Sequence, residues 1–213
     1  MEMDDTGIFY GMRIITPSLL LMAVSFCCCR QEVRPFSFTL DPAIKDTVER
    51  HISNVRERRQ FSSFDTQVDC RYYLDGILTD SLIDPNFRML SWYSNRADTI
   101  DLVAHIGNFE TSALLIRFIK GRPHLFYYRA PHEQQRCFRL NKTDTFSNQV
   151  EVPLVRYKLG LSVIPDTARK PPVFGTIEME SAGYYDQRDS VEGKQSVYYK
   201  FYFRSSYRNF DKG

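Results

Sequence analysis

The chain has 213 residues, of which 43% are hydrophobic and 25% charged, with 28 basic and 26 acidic side chains. This hydrophobic content supports a folded core and excludes disorder over most of the length. The net charge of +2 provides no basic surface of the kind that nucleic-acid binding requires. Once a short N-terminal segment is set aside, the length suits one domain of ordinary size.

Residues 12–29 carry the pattern of a membrane-sorting signal. One basic residue, Arg13, precedes an apolar run of 13 residues, Ile14–Phe26, and three cysteines follow it. The run is shorter than the roughly 20 apolar residues of a spanning helix, and its order is that of a signal peptide. We therefore predict a signal peptide over residues 1–26. Residues 1–11 are acidic where such a signal is basic, so they are interpreted as an extension ahead of the true start; a long, tolerated N-terminal region is the alternative.

This stretch resembles the signal peptides of bacterial lipoproteins, in which small residues precede a cysteine that is lipidated and becomes the mature N-terminus. Val24, Ser25 and Phe26 precede Cys27. The first two suit this pattern, whereas Phe26 departs from it because a small residue is expected directly before the cysteine. The resemblance implies fatty acylation, with chains such as palmitate, of Cys27 or alternatively Cys28, and a lipidated tether over residues 27–32. Several acyl chains anchor a protein stably where one does not. The resemblance therefore implies a place in the bacterial cell envelope, anchored to a membrane and facing the periplasm or the cell exterior. An ordinary secretory signal or an uncleaved anchor is the alternative interpretation.

A helix is predicted directly after the tether region. Asp41 is expected as its N-cap and Pro42 as its first helical residue. Apolar side chains then recur at helical spacing at Ile44, Val48, Ile52 and Val55. The pattern predicts an amphipathic helix that runs to about Gln60 and packs along this stripe.

Beyond the helix, alternating apolar and polar residues predict strands. In the stretch 66–75, Val68 and Cys70 share one face while Gln67 and Asp69 share the other. Residues 76–96 are less regular. Further strands are predicted over residues 100–106, 112–119, 124–130, 136–140, 149–163, 173–181 and 195–205. No helix-length apolar period separates them, which excludes parallel β-α-β units and favours antiparallel pairing.

The fold class expected from these patterns is α+β, in a single domain over residues 33–213. One N-terminal amphipathic helix is predicted to pack on a mainly antiparallel sheet of about eight strands. Because large open sheets tend to curl or to split into layers, we expect a strongly curled sheet or a two-layer sandwich.

Two cysteines, Cys70 and Cys137, lie in this domain. Export would bring them into an oxidising compartment, where one disulfide between them is allowed. Cys70 lies on the apolar face of its strand, whereas Cys137 lies on the face opposite Phe138 and Leu140. The two cysteines are therefore poorly placed to face each other. The alternative is a buried, inert Cys70.

No motif in the sequence identifies a catalytic residue, a metal site or a cofactor. The four histidines lack the spacing of zinc ligands, and neither a Gly-x-Ser-x-Gly motif nor a phosphate-binding glycine loop is present. A hydrolytic cluster of His105, Asn108 and Glu110 beside a hairpin turn is left open, next to the interpretation of these residues as ordinary polar strand residues.

The last predicted strand has the clearest alternation. Its inner face is expected to place Val197, Tyr199, Phe201 and Phe203 in the core. Its outer face carries Tyr198, Lys200, Tyr202 and Arg204. Aromatic and cationic side chains are enriched at binding surfaces, so these four are the binding candidates. Tyrosine also favours strands for packing alone, which is the alternative reading of the same face.

Three functions are compatible with these features. The first is a membrane-anchored envelope lipoprotein that acts as a binding or assembly module for an envelope protein, a peptide or a glycan. The second is a carrier of apolar ligands, because one helix followed by an antiparallel meander looks in outline like the half-barrels of envelope lipoprotein carriers. The third is a small envelope hydrolase. A large apolar cavity would favour the carrier, a solid core with an aromatic surface the module, and a convergent histidine and acid pocket the enzyme.

Overall fold

Most of the predicted alternation forms strands in the computed structural model, which describes residues 36–58, 61–106, 111–130, 137–187 and 193–210. The predicted signal peptide and tether, with Cys27 and Cys28, lie outside these residues. The described part of the chain forms, in order, β1 (Phe36–Leu40), α1 (Ile44–His51), β2 (Ile52–Arg58), β3 (Phe61–Leu74), β4 (Ile77–Arg96), β5 (Thr99–Ile106), β6 (Thr111–Ile119), β7 (Arg122–Ala130), β8 (Phe138–Arg139), β9 (Val150–Leu161), β10 (Val173–Ser181), β11 (Tyr185–Asp186) and β12 (Gln195–Tyr207).

Eight of the described strands close into a barrel, in the order β9-β10-β12-β3-β4-β5-β6-β7. The last strand returns to the first, because β7 pairs antiparallel with β9 from Phe126 opposite Pro153 to Arg129 opposite Val150. The structure thus confirms mainly antiparallel β structure with one short helix. The expected curled sheet or two-layer sandwich is wrong, because the sheet pairs its two outer strands and so removes those edges.

Parallel pairing occurs at two places in the described sheet. β1 lies outside the barrel and runs parallel to β9. β3 begins opposite Ser91 of β4, so beyond that point it no longer separates β4 from β12. The end of β12 therefore pairs parallel with β4 at Ser206 and Tyr207. β2 pairs antiparallel with the first half of β3, whereas β12 pairs with the second half.

Inward-facing side chains from every barrel strand form the core. Aromatic rings contact one another across it, with centroid distances of 5.9 Å between Tyr127 and Tyr199, 6.0 Å between Tyr127 and Tyr184, and 6.2 Å between Phe201 and Phe203. An eight-stranded barrel is just wide enough to be filled by side chains or to hold one small ligand. Here the described inward-facing rings occupy much of that space.

One end of the barrel is covered by the short sheet of β8 and β11, in which Phe138 pairs with Asp186. Phe138 and Tyr184 of this region are buried and belong to the core. Arg129 on β7 forms a buried ion pair with Asp186 at 3.4 Å and lies 5.5 Å from the centroid of the Phe138 ring. The barrel wall and its cover are therefore joined by charge as well as by apolar packing.

The helix is shorter than the sequence predicts, because it ends at His51. Ile52 is extended (φ −109°, ψ 143°) and pairs with Thr66 of β3, so strand pairing replaces the predicted second half of the helix. Ile52 favours this state through its branched Cβ, and Val55 lies exposed on β2. Asp41 is not the N-cap either; its carboxylate accepts a hydrogen bond from the Ala43 N–H at 2.9 Å, one turn ahead of the helix.

Residues 76–96, which show less regular alternation than the other strands, contain the 20-residue strand β4. Asp75 and Gly76, with φ of 49° and 81°, make the two-residue turn that starts it, and such left-handed pairs suit the twist of a hairpin. Asp84, Pro85 and Asn86, residue types that favour turns, coincide with a shift of register against β3. A proline is tolerated at an irregularity of this kind.

Candidate functional site

The inner face of β12 belongs to the core, as predicted. Val197, Tyr199, Phe201 and Phe203 are each at most 2% exposed. The intervening side chains consequently point outward, which places the four binding candidates on the outer surface of the barrel.

Two of these candidates line a cleft of about 190 Å³ on that surface, which we call the outer-face cleft. Its lining consists of Gln67, Asp69, Ile83, Lys200 and Tyr202. The residues come from β3, β4 and β12, which are neighbours in the sheet although β12 is distant in sequence. Asp69 is directly opposite Lys200 on one side and Ile83 on the other.

Helix α1 borders the cleft through its last residue. The His51 ring stacks on the Tyr202 ring with centroids 4.1 Å apart and planes inclined by 15°. The helix can lie this close because Gly160 on β9 has no side chain where Ile44 packs: a Cβ at that position would come within 2.8 Å of Ile44 Cδ1. Val48 on the same stripe is fully buried. Two residues of the predicted stripe, Ile44 and Val48, thus position the wall of the cleft.

Charged side chains on both sides of the cleft form ion pairs. The Lys158 ammonium lies 3.4 Å from the Glu178 carboxylate on the neighbouring strand. Arg71 contacts the Asp69 carboxylate at 3.0 Å through Nη2 and at 3.3 Å through Nε. This bidentate geometry fixes the orientation of the acid at the cleft floor.

The other two candidates flank the cleft. Tyr198 is half-buried, and the Arg71 guanidinium lies 5.0 Å from its ring centroid. Burial, followed by the charges of Glu178 and Asp69, raises the pKa of Tyr198. Arg204 lies 5.6 Å from the centroid of the Phe174 ring on β10.

Sequence reasoning missed the contribution of Gln67, Asp69 and Ile83 to this site. Alternation had placed Gln67 and Asp69 on the polar face of their strand, so a signal was present. The signal was incomplete because the pairing of β3 with β12 joins residues about 130 positions apart, and strand order across such separations is not encoded in local patterns.

Inside the barrel, Cys70 lies among tyrosines. The hydroxyls of Tyr72 and Tyr199 are 3.1 Å apart, and burial raises the pKa of Tyr199 well above its usual value. Burial also raises the pKa of the Cys70 thiol, which opposes formation of the reactive thiolate. Cys70 and Cys137 are both buried and are not joined in a disulfide, so the disulfide considered from the sequence is absent from this structure.

Of the hydrolytic cluster left open by the sequence, only His105 lies among the described residues. His105 stacks on Trp92 with ring centroids 4.9 Å apart, and burial lowers its pKa. Asn108 and Glu110 lie outside the described residues. Among the residues that are described, no group of three or more potential ligands could hold a metal ion.

Within the same residues, no helix has the length and apolar character needed to cross a membrane. Comparisons of the chain with protein-family models, with curated proteins and with solved structures gave no match.

Proposed function

We propose that the protein is a membrane-anchored envelope lipoprotein that acts as a binding module and holds an envelope partner in the outer-face cleft. The observation that carries this proposal is that Lys200 and Tyr202, selected from sequence as binding candidates, line an open cleft. A flexible cation, an aromatic ring with a hydroxyl, an amide and an exposed isoleucine supply charge, hydrogen bonds and apolar area in one place. Binding surfaces combine these groups.

The packing of the core supports a module more than an enzyme. Rings from β7 and β12 and Tyr184 beside β11 fill much of the described interior. Among the described residues no cysteine lines the cleft, and the histidine at its border, His51, is stacked on Tyr202 and has its Nδ1 2.8 Å from the Thr47 carbonyl oxygen. The site can therefore bind and orient a partner, whereas it offers no activated nucleophile.

Affinity capture tests the binding proposal. We expect Lys200→Ala combined with Tyr202→Ala to lose partners that the wild-type protein recovers from detergent-solubilised envelope. The matched control is Lys142→Ala with Tyr128→Ala, which changes the same residue types at positions outside the cleft lining. Equal recovery of every partner by wild type and both variants would leave the cleft without a binding role.

The anchor is tested separately. Metabolic labelling with a fatty-acid analogue and mass analysis of the N-terminal peptide should find acylation at Cys27, with Cys28 as the alternative site. Replacing the acylated cysteine with serine should release the protein from membranes. An unlabelled wild-type protein recovered in the soluble fraction would remove the anchor from the proposal.

A carrier of apolar ligands is the second candidate, because a closed barrel of eight strands can hold one small ligand. On the inward side of the β3–β4 hairpin, Leu82 lies opposite Cys70 yet is 43% exposed, so apolar surface faces solvent at that end of the barrel. Organic extraction of the purified protein followed by lipid mass spectrometry tests this function. A stoichiometric lipid that protects Leu82→Cys from alkylation would favour the carrier over the module.

A further inference from the structure

We propose that the outer-face cleft takes the C-terminal carboxylate of a peptide whose last side chain is apolar. This inference rests on the proposed function, since it names the ligand class of the same site.

The charge balance of the cleft favours an anion. Lys200 lies between Glu178 and Asp69 in the register of the sheet. Each of these acids already contacts another cation, Glu178 at 3.4 Å and Asp69 at 3.0 Å. Among the described residues Lys200 forms no ion pair, and its side chain is exposed. The cleft therefore presents an ammonium group with three donors to an incoming ligand.

The opposite wall of the cleft favours an apolar group beside that anion. Ile83 is 68% exposed and lies directly across Asp69 from Lys200. Covering an exposed isoleucine removes apolar surface from water, which favours binding. A ligand with a carboxylate and an adjacent aliphatic side chain meets both walls at once.

Two observations favour a peptide over an acidic sugar or a phosphate. The Gln67 amide can donate to and accept from a peptide group, whereas a fully ionised phosphate group offers acceptors only. A sugar ring would stack on an aromatic face, and one face of Tyr202 is already covered by His51 at 4.1 Å. The cleft volume of about 190 Å³ suits one terminal residue of a peptide chain.

The test uses the full-length protein in detergent, labelled with ¹⁵N and titrated with four probes. These are N-acetyl-Ala-Ala-Leu as the free acid, the same peptide as its C-terminal amide, glucuronate, and inorganic phosphate. We expect the free acid to shift the amide resonances of Gln67, Lys200 and Tyr202 and to bind about tenfold more tightly than the amide, as for a hydrogen bond to a charged group.

Matched variants identify the residue responsible. Lys200→Gln should abolish the preference for the acid over the amide. Lys142→Gln should keep it, because that lysine is exposed but is not part of the cleft lining. Unchanged resonances in the rest of the spectrum establish that each variant is folded.

Several results would overturn the assignment. Equal affinity for acid and amide, or an unchanged preference in Lys200→Gln, would exclude recognition of the carboxylate. Binding of glucuronate or phosphate as tight as that of the peptide acid would exclude a peptide-specific site. If the Lys200 and Tyr202 double variant nevertheless loses partner capture, the cleft still binds a partner and only the assigned ligand class is wrong. If the double variant captures partners as well as wild type does, the proposed function itself is wrong.

Discussion

Replacing Gly175 with alanine tests the packing of β10 against β12 on which the position of the cleft depends. Gly175 lies opposite Phe203, whose ring is fully buried. An added Cβ would lie 2.5 and 2.6 Å from Phe203 Cε1 and Cε2 and closer still to Cζ, whereas ordinary contacts begin at 3.4 Å. The ring would have to retreat by about 1 Å into a close-packed core. Overpacking of this kind costs about 2 kcal/mol.

Thermal unfolding measures this cost. A loss of about 2 kcal/mol lowers the Tm by about 4–8 °C in a domain of this size. Adding Phe203→Leu should relieve the clash, so the double variant should lose less stability than the two single variants together. The control is Gly183→Ala, for which the three atoms nearest to the added Cβ all belong to the exposed Lys194 side chain, which can move aside at a cost below about 0.5 kcal/mol. A Gly175→Ala protein as stable as wild type would refute the packing described here.

Three further changes test other parts of the structure. Ile44→Ala should destabilise by about 1–2 kcal/mol in chemical denaturation, below the 2–5 kcal/mol typical of fully buried sites, because Ile44 is half-buried against Gly160; an unchanged midpoint would mean that α1 is not packed there. Tyr199→Phe should cost about 1 kcal/mol by removing the hydroxyl contact with Tyr72 at 3.1 Å, and a more stable variant would contradict that contact. Burial lowers the pKa of His105 below its usual 6.5, so the unfolded chain takes up this proton at a higher pH than the folded chain does. The free energy of unfolding should therefore fall as the pH drops below about 6.5. His105→Phe should reduce that fall, and an identical pH dependence of Tm in wild type and variant would exclude His105 as its source.

Local sequence patterns predicted those parts of the fold that depend on neighbouring residues. Period-two alternation identified the two faces of β12 correctly, because a strand with one buried face must alternate. It did not reveal closure, since whether β7 pairs with β9 depends on strand tilt and on the stagger accumulated around the whole sheet. The predicted helix was too long for a related reason. The apolar spacing of Ile52 and Val55 suits a helix, but Ile52 pairs with β3, and no local pattern specifies that strand partner.

The candidate site was predicted in part for the same physical reason. Lys200 and Tyr202 could be selected because both lie on one outward face of a single strand. The opposing wall depends on which strand lies next to β12, so Ile83 and the Asp69 carboxylate held by Arg71 required the three-dimensional structure. His51 entered the site through helix packing on Gly160, a close approach that only a glycine permits.

Site-specific photocrosslinking in living cells tests most directly the central claim that the outer-face cleft binds an envelope partner. A benzophenone amino acid would be placed at Ile83, which lines the cleft and is 68% exposed. The control position is Val155, a 49% exposed residue on β9 that is not part of the cleft lining. We expect a discrete crosslinked product from position 83 that is absent from position 155 and is lost when Lys200→Ala and Tyr202→Ala are introduced. Products that are absent at position 83, equal at the two positions, or unaffected by the double substitution would contradict it.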